Sequence, residues 1–230
     1  NGRAATTDKI IDKPTEKFYR IQANLNSPVD LKQFPFDSQK IQIILEDKEQ
    51  SDTKLQYLPL QEESGIDTAV SLVGWNLDSW SVEEKKHDYP IYNERYSQYV
   101  FTMDISRIAI NSFIKTILPV LFIVIVIMSS FVLDTDKVNT RLTMAGSSLV
   151  AAVMFHVSIN NQIPPVGYLT FADKFMILTY IILVVSFITN IILLELLERK
   201  KIELAEKIHR RMEFSVLIIF PLLYLILFLL

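Results

Sequence analysis

Apolar and polar side chains alternate along several stretches of the N-terminal half of the chain. In residues 19–25, 40–46 and 97–105, every second side chain is apolar. That period of two matches the way side chains alternate between the faces of a β-strand. Turn-forming residues separate the stretches, for example at 26–28 and 87–90. The pattern predicts half-buried antiparallel strands, spaced as in a β-sandwich.

The pattern changes near Ile110, where long apolar stretches begin. A membrane-spanning helix needs about 20 mainly apolar residues. Four stretches approach that length: 110–133, 142–159, 175–194 and 214–230. The sequence thus predicts an all-β extracellular sandwich over residues 1–109, followed by a four-helix transmembrane bundle over residues 110–230. For the second stretch, which is short and rich in hydroxyl groups, a buried soluble helix remains the alternative.

Basic residues set the predicted orientation in the membrane. The connection 195–213 carries several cations, whereas that between the second and third spans carries only Lys174. Cytoplasmic connections are enriched in such residues, which places 195–213 inside the cell and both the β domain and the C-terminus outside. Because glutamates interleave, 195–213 is interpreted as a helical extension rather than a lipid-binding basic helix. Its cations are Arg199, Lys200, Lys201, Lys207, Arg210 and Arg211.

Composition excludes several classes of function. Residues 1–109 hold 13 basic and 18 acidic side chains, so no basic surface for nucleic acid is expected. The absence of cysteine excludes a disulfide framework and a thiolate metal site. No metal-ligand spacing, nucleophile elbow or phosphate loop occurs. Neither an enzyme nor a bound cofactor or metal is therefore predicted.

The segment Val29–Gln39, with Phe34-Pro35-Phe36-Asp37 at its centre, resembles the signature loop of Cys-loop receptors and of their prokaryotic relatives, the pentameric ligand-gated ion channels. Ser27 and Ile41 stand where animal members carry the cysteine pair. Further matches follow in the family's order: Gly74-Trp75, the hairpin 87–95, Arg107, Pro119, Arg141 and 163–170. The resemblance implies a homopentameric channel whose N-terminal strands are missing from this sequence, so that the β domain is partial.

The second span predicts a pore lining. Steps of three and four residues put one set of side chains on a single helix face. In a pentamer, Thr143 and Ser147 would replace part of an ion's hydration, and Val150, Met154 and Val157 would form an apolar gate that can dewet. Close helix packing by small residues is the alternative explanation of the hydroxyl groups. The predicted lining is Asn139, Thr143, Ser147, Val150, Met154, Val157, Ser158 and Asn161.

The resemblance further implies that an ion pair between Asp37 and Arg107 couples the two domains, with the connection between the second and third spans facing the signature loop. The predicted coupling residues are Phe34, Pro35, Phe36, Asp37, Arg107, Pro164 and Pro165. Arg107 as an ordinary anchor to lipid headgroups is the competing interpretation.

Ligand and ion are less closely defined by the sequence. Tyr89, Tyr92 and Tyr96 lie at the hairpin that caps the ligand pocket in family members, where aromatic faces hold amines. The agonist remains open among a small amine, protons and a divalent ion. Asp134 and Asp136 favour cations over anions as the permeant species. A non-conducting membrane receptor with a β-sandwich ectodomain is the alternative function.

Overall fold

The computed structural model describes residues 2–229, with side chains from residue 6 onward. The chain divides into two compact units. The first, called the β unit, comprises Asn1–Asp30 and Asp37–Ile108; the second, called the helical unit, comprises Leu31–Phe36 and Ala109–Leu230. The short loop 31–36, which carries most of the signature motif, thus belongs with the helices and not with the strands that flank it in sequence.

The β unit consists of antiparallel strands in two sheets. Strands β1 and β2 form a two-stranded ribbon, and β5 lies between β3 and β4 in a three-stranded sheet. The predicted fold class, antiparallel sheets followed by apolar helices, is confirmed. The bounds are Gly2–Asp12 (β1), Lys17–Leu25 (β2), Ser38–Glu46 (β3), Trp75–Tyr89 (β4) and Glu94–Arg107 (β5).

Burial differs sharply between the two sheets. The central strand β5 carries the best covered apolar side chains, with Val100 1% and Ile105 4% exposed. In β2, by contrast, Phe18 and Ile21 are each 55% exposed. The prediction of half-burial is therefore wrong for β2. The physical reason is that β2 pairs only with β1 in the described chain, so the ribbon has no third strand beside it.

The helical unit begins with a distorted helix. A short helix α1 (Ala109–Ser112) leads into a π-helical turn at Phe113–Ile117, and α2 follows from Leu118 to Ser130. Pro119 explains the distortion, because proline lacks a backbone N–H and its ring clashes with the carbonyl four residues earlier. The widened turn lets the helix continue past the proline.

Three long helices complete the unit: α3 (Val138–Asn160), α4 (Phe171–Glu198) and α5 (Ile202–Leu229). Four helical segments, Ala109–Ser130, Thr135–Asn160, Phe171–Glu198 and Ile202–Leu229, are long and apolar enough to cross a membrane. The protein is thus a multi-pass membrane protein. Thr170 caps α4, since its Oγ1 accepts from the Asp173 N–H at 3.2 Å while Asp173 Oδ2 accepts from the Thr170 N–H at 2.8 Å.

The connection 195–213 is almost entirely helical. Helix α4 ends at Glu198 and α5 begins at Ile202, so only a tight turn separates them. Lys200 adopts the left-handed conformation there, with φ of 57°. Arg199, Lys200 and Lys201 lie in this turn, and the other charged residues of the connection lie on the adjoining ends of the two helices.

Candidate pore helix and coupling network

The predicted pore lining lies on the exposed side of α3. All eight of its residues are exposed, with Val150 64%, Met154 66% and Val157 52% accessible. The opposite side of α3 is buried against the other helices through Val138, Ala145, Ser148, Ala152 and Ile159. Thr143 and Ser147 also line a groove of about 400 Å³ together with Phe122 and Val126 of α2, and the Thr143 hydroxyl group donates to the Asn139 carbonyl at 3.0 Å.

Arg141 lies off that exposed stripe and is fully buried. Its guanidinium group stacks 4.7 Å from the Phe131 ring, and its Nη1 donates to His209 Nδ1 at 3.1 Å. Because arginine can only donate, the His209 Nδ1 must be an unprotonated acceptor. The Nε and Nη2 groups of Arg141 have no partner among the described residues. Sequence patterns placed Arg141 at the helix start but gave no sign that it is buried.

His156 also points away from the stripe and joins α3 to α4. Its Nδ1 lies 2.9 Å from the Tyr180 hydroxyl group, and its Nε2 lies 3.0 Å from Asp173 Oδ1. The same Asp173 caps α4 through Thr170. His156 thus connects the C-terminal half of α3 to the first turns of α4.

The loop 31–36 is anchored in the helical unit by backbone and aromatic contacts. The Phe171 N–H donates to the Lys32 carbonyl at 2.8 Å, and the Ala172 N–H donates to the Phe34 carbonyl at 3.0 Å. Phe34 is only 3% exposed. The Phe36 ring meets the Phe171 ring edge-on at 5.9 Å. The loop therefore docks directly on the N-terminal end of α4.

The connection between α3 and α4 supplies a further contact to this loop. The Leu31 N–H donates to the Tyr168 hydroxyl group at 2.8 Å. Pro164 and Pro165, which were predicted to face the loop, line a groove of about 580 Å³ beside Tyr168. Sequence analysis missed Tyr168, Phe171 and Ala172, because two of their contacts use backbone atoms and leave no mark on residue type.

Asp37 and Arg107 are brought together within the β unit. Arg107 Nε donates to Asp37 Oδ1 at 2.8 Å and its Nη2 donates to Oδ2 at 3.3 Å, a two-pronged ion pair. The Asp37 side chain is 1% exposed. The guanidinium group also lies 4.2 Å from the centre of the Trp75 ring. A buried carboxylate with this many partners holds the start of β3 against the end of β5.

Gln39 completes the network and was not singled out from the sequence. Its Nε2 donates to Asp37 Oδ2 and to the Asp30 carbonyl, both at 2.7 Å, and its Oε1 accepts from the Asp30 N–H at 3.1 Å. The chain passes between the two units after Asp30, before Asp37 and after Ile108. The network of Asp30, Asp37, Gln39 and Arg107 therefore ties all three passages together inside the β unit.

The tyrosines of the predicted ligand hairpin have different environments. The Tyr89 hydroxyl group donates to Glu46 Oε1 at 2.8 Å, and the Tyr89 ring meets the Tyr96 ring edge-on at 5.6 Å. Tyr92 in the turn is 72% exposed. Glu46 also receives Gln98 Nε2 at 2.6 Å and contacts His87 Nδ1 at 3.0 Å. Tyr89 and Tyr96 thus form an aromatic pair beside a carboxylate, while Tyr92 stands apart.

Hydrogen bonding controls the ionisation of this carboxylate. Partial burial raises the pKa of the Glu46 carboxyl group, but the hydrogen bonds from its three neighbours outweigh burial and lower the pKa below its ordinary value of 4.5. The same contact raises the pKa of the Tyr89 hydroxyl group, because the phenol donates to a carboxylate. Glu46 is thus held ionised at neutral pH, as a fixed negative charge against aromatic rings.

The arrangement defines a class of protein, a membrane protein with antiparallel sheets ahead of four apolar helices, one of which presents a stripe of polar and then apolar side chains.

No family model matches the sequence. Several curated proteins nevertheless match it in sequence. A proton-gated ion channel from Gloeobacter violaceus is 25% identical over 77% of this chain and 49% of its own length. Ligand-gated ion channel 50 of Caenorhabditis elegans is 25% identical over 71% of this chain and 33% of its own length.

A pH-sensitive chloride channel 2 from Drosophila melanogaster is 26% identical over 67% of this chain and 31% of its own length. The chain thus spans between about a third and a half of the curated relatives that it matches. These similarities confirm the resemblance to pentameric ligand-gated ion channels. The relatives are channels rather than enzymes, and the pH-sensitive one is a chloride channel by name.

Proposed function

We propose that this chain is part of a subunit of a ligand-gated ion channel, in which five copies surround a pore lined by α3. The observation that carries the proposal is the exposed stripe of α3, with hydroxyl groups at Thr143 and Ser147 and apolar side chains from Val150 to Val157. Exposed valine and methionine are costly in water but suit a narrow pore that can dewet. Five-fold assembly is taken from the resemblance.

Cations are the proposed permeant ions. Asp134 and Asp136 are exposed just ahead of α3, against the single exposed cation Lys137 in the same turn. The burial of Arg141 supports this, because a cation ring at the start of α3 would instead attract anions. The chloride channel among the relatives makes anion conduction the alternative outcome of the experiment below.

Agonist binding in the β unit would reach α3 through the loop 31–36. The Asp37–Arg107 pair and Gln39 fix both ends of this loop, and the loop bonds to the first residues of α4 and to Tyr168. A change in the β unit would thus move the connection between α3 and α4. The basic connection at residues 199–211 supports a cytoplasmic location for that end, with the β unit outside.

The aromatic pair Tyr89 and Tyr96 beside Glu46 supports a cationic agonist, since aromatic faces and a carboxylate both attract an amine. Protons are the other agonist that the site supports, because protonation of Glu46 would remove a negative charge that accepts hydrogen bonds from Tyr89 and Gln98. In the described residues, no group of three or more metal-ligating side chains occurs, which leaves a divalent ion without a specific candidate site.

Single-channel recording in planar bilayers under a KCl gradient tests the proposal. Val150→Ala shortens the apolar side chain at the predicted gate and lowers the cost of wetting it by about 1 kcal/mol, so the ratio of open to closed time should rise at least about fivefold. Val185→Ala is the matched control, because Val185 is 43% exposed on α4, away from the stripe. It should leave gating unchanged.

Three results would contradict the proposal. Equal effects of the two substitutions would place the gate elsewhere, and a reversal potential that follows chloride would assign anion selectivity. Absence of current from the full-length parent protein, across pH and amine ligands, would favour the alternative of a non-conducting membrane receptor.

A further inference from the structure

A tight turn lies at the end of the β unit from which the first membrane-spanning helix continues. The Trp75 N–H donates to the Leu72 carbonyl at 3.0 Å, and Gly74 has φ of 85°, a conformation that residues with a Cβ rarely adopt. The Ile108 N–H donates to the Gly74 carbonyl at 3.1 Å. Since Ile108 directly precedes α1, this hydrogen bond fixes the turn at the level where the membrane-spanning segment Ala109–Ser130 begins.

The turn and its neighbours in sequence are mainly apolar and carry no charge. Residues 68–77 contain no charged side chain, although the stretches on either side are rich in them. Val73 at the tip of the turn is 93% exposed, and Val70 and Leu77 in the same stretch are 56% and 43% exposed. Turns in water usually carry polar residues, so an apolar tip of this kind indicates contact with something other than water.

A groove of about 460 Å³ extends this apolar surface. Val70, Leu72 and Trp75 line it, together with Met103 of β5. The Arg107 guanidinium group lies 4.2 Å from the centre of the Trp75 ring. Tryptophan rings are enriched where lipid headgroups meet the hydrocarbon, because one part of the side chain is apolar and the other donates a hydrogen bond. The composition of the groove thus suits the boundary of a membrane.

We propose that the turn 70–74 lies in the headgroup zone of the bilayer, with Val70 and Val73 in contact with lipid. This zone is about 6 Å thick on each side of the hydrocarbon. Val73 adjoins the Gly74 that Ile108 holds, and neighbouring Cα atoms are only about 3.8 Å apart, so the tip is within reach of the zone. The proposal is independent of ion conduction, because it uses only the start of the first membrane-spanning helix.

The absence of cysteine from the sequence makes the turn a specific labelling site. Val73→Cys is labelled with the fluorophore NBD in phosphatidylcholine vesicles. Ile91→Cys is the matched control, because Ile91 is 90% exposed beyond the other end of β4, about 45 Å away along the strand. A nitroxide on the lipid acyl chain should quench the label at residue 73 at least about threefold more strongly than at residue 91, and aqueous iodide at least about threefold less.

Two other patterns of quenching would overturn the proposal. Equal quenching by iodide at both positions would place the turn in water. Protection of residue 73 from both quenchers would show that a second copy of the chain, rather than lipid, covers the turn.

A measurement without a label tests the same contact, since the fluorophore is itself apolar. Trp75 and Trp80 are the only tryptophans in the sequence, so Trp80→Phe leaves Trp75 as the reporter. Brominated phosphatidylcholine should quench its emission. Val73→Asp should reduce this quenching at least about twofold, because a carboxylate is costly to move toward hydrocarbon. Ile91→Asp adds the same charge at the far end of β4 and should leave the quenching unchanged. Equal quenching in the two aspartate variants would refute lipid contact at the turn.

Discussion

Arg141 is a cation with no exposed surface, in a helix that is otherwise apolar or uncharged over most of its length. Removing a guanidinium group from water costs several kcal/mol unless its donors are satisfied. Here the Phe131 ring and His209 provide the contacts, and two donor groups remain without a partner among the described residues. His209 thus provides the hydrogen-bond acceptor that offsets part of the cost of burying Arg141.

Substitution of His209 by leucine should therefore destabilise the helical unit. Leucine removes the acceptor and leaves the buried guanidinium group with the Phe131 ring and the electrostatic attraction of Glu213, a loss of about 2–3 kcal/mol. The measurement is the midpoint of thermal unfolding in detergent, followed by helical circular dichroism. His209→Gln keeps an acceptor oxygen and should retain most of the stability. An unfolding midpoint of His209→Leu at or above the native value would contradict the role of His209.

Glu46 gives the β unit a predicted dependence on acid pH. Its carboxyl pKa is lower in the folded protein than in the unfolded chain, so folding favours the ionised form. The resulting stability is fully present above the ordinary value of 4.5 and is lost as the pH falls through the lower folded value. Between about pH 6 and pH 3, unfolding should become easier in the native protein, and less so in Glu46→Gln.

The two tryptophans make this measurement specific, because Trp75 and Trp80 both lie in β4. Denaturant unfolding followed by tryptophan fluorescence therefore reports on the β unit without a signal from the helices. Glu49→Gln is a suitable control, since Glu49 is an exposed glutamate near the end of β3. Identical acid sensitivity of the native protein and Glu46→Gln would rule out Glu46 as the source.

At the level of elements, one side chain of β3 holds together the two β-unit residues that flank the loop 31–36. Gln39 bonds both backbone groups of Asp30 and one oxygen of Asp37, so both residues that flank the loop depend on it. Gln42 lies on the same strand but bonds only Thr102, at 3.2 Å. The two glutamines thus have the same side chain but differ in the residues to which they are hydrogen-bonded.

Gln39→Leu should weaken coupling more than it weakens folding. Leucine has a similar size but removes both hydrogen bonds to the Asp30 backbone and one of the two hydrogen bonds to Asp37 Oδ2, which costs about 1–3 kcal/mol. In bilayer recordings, the agonist concentration for half-maximal opening should rise at least about fivefold, while tryptophan fluorescence still shows a folded β unit. Gln42→Leu should leave that concentration within about twofold of the native value. The reverse order of effects would reject this role for Gln39.

Strands and helices could be predicted from the sequence where a single property, either alternation or apolar length, was enough to define them. Alternation fixed the strands around residues 40–46 and 97–105, and apolar length fixed the four helices, because hydrogen bonding in a membrane leaves few other structures. Periodicity shows which side of an element is apolar but not what covers it. That is why the exposure of Phe18 and Ile21 in β2 was not foreseen.

The candidate site was only partly predictable for a related reason. The α3 stripe could be listed from spacing alone, since a helix repeats every 3.6 residues. Gln39, Tyr168 and Phe171 could not, because their contacts join residues distant in sequence or use backbone atoms that every residue possesses. The Asp37–Arg107 contact was expected only from resemblance, as nothing in the spacing of those two residues indicates it.

On the scale of the whole molecule, the chain is divided unequally between its two units. The helical unit takes six residues, Leu31–Phe36, from the middle of the β sequence and packs Leu31 and Phe34 in its core. The β unit keeps the residues on both sides of that loop. The chain thus passes between the two units three times, after Asp30, after Phe36 and after Ile108.

This interleaving has a consequence for breakage of the backbone. Cleavage between Ile108 and Ala109 would cut the most evident linker, yet it would not release the β unit. The N-terminal fragment would still contain the loop, with Phe34 seated in the helical core and its carbonyl bonded to Ala172. The two fragments would therefore stay associated, because the loop of the first is packed in the hydrophobic core of the second.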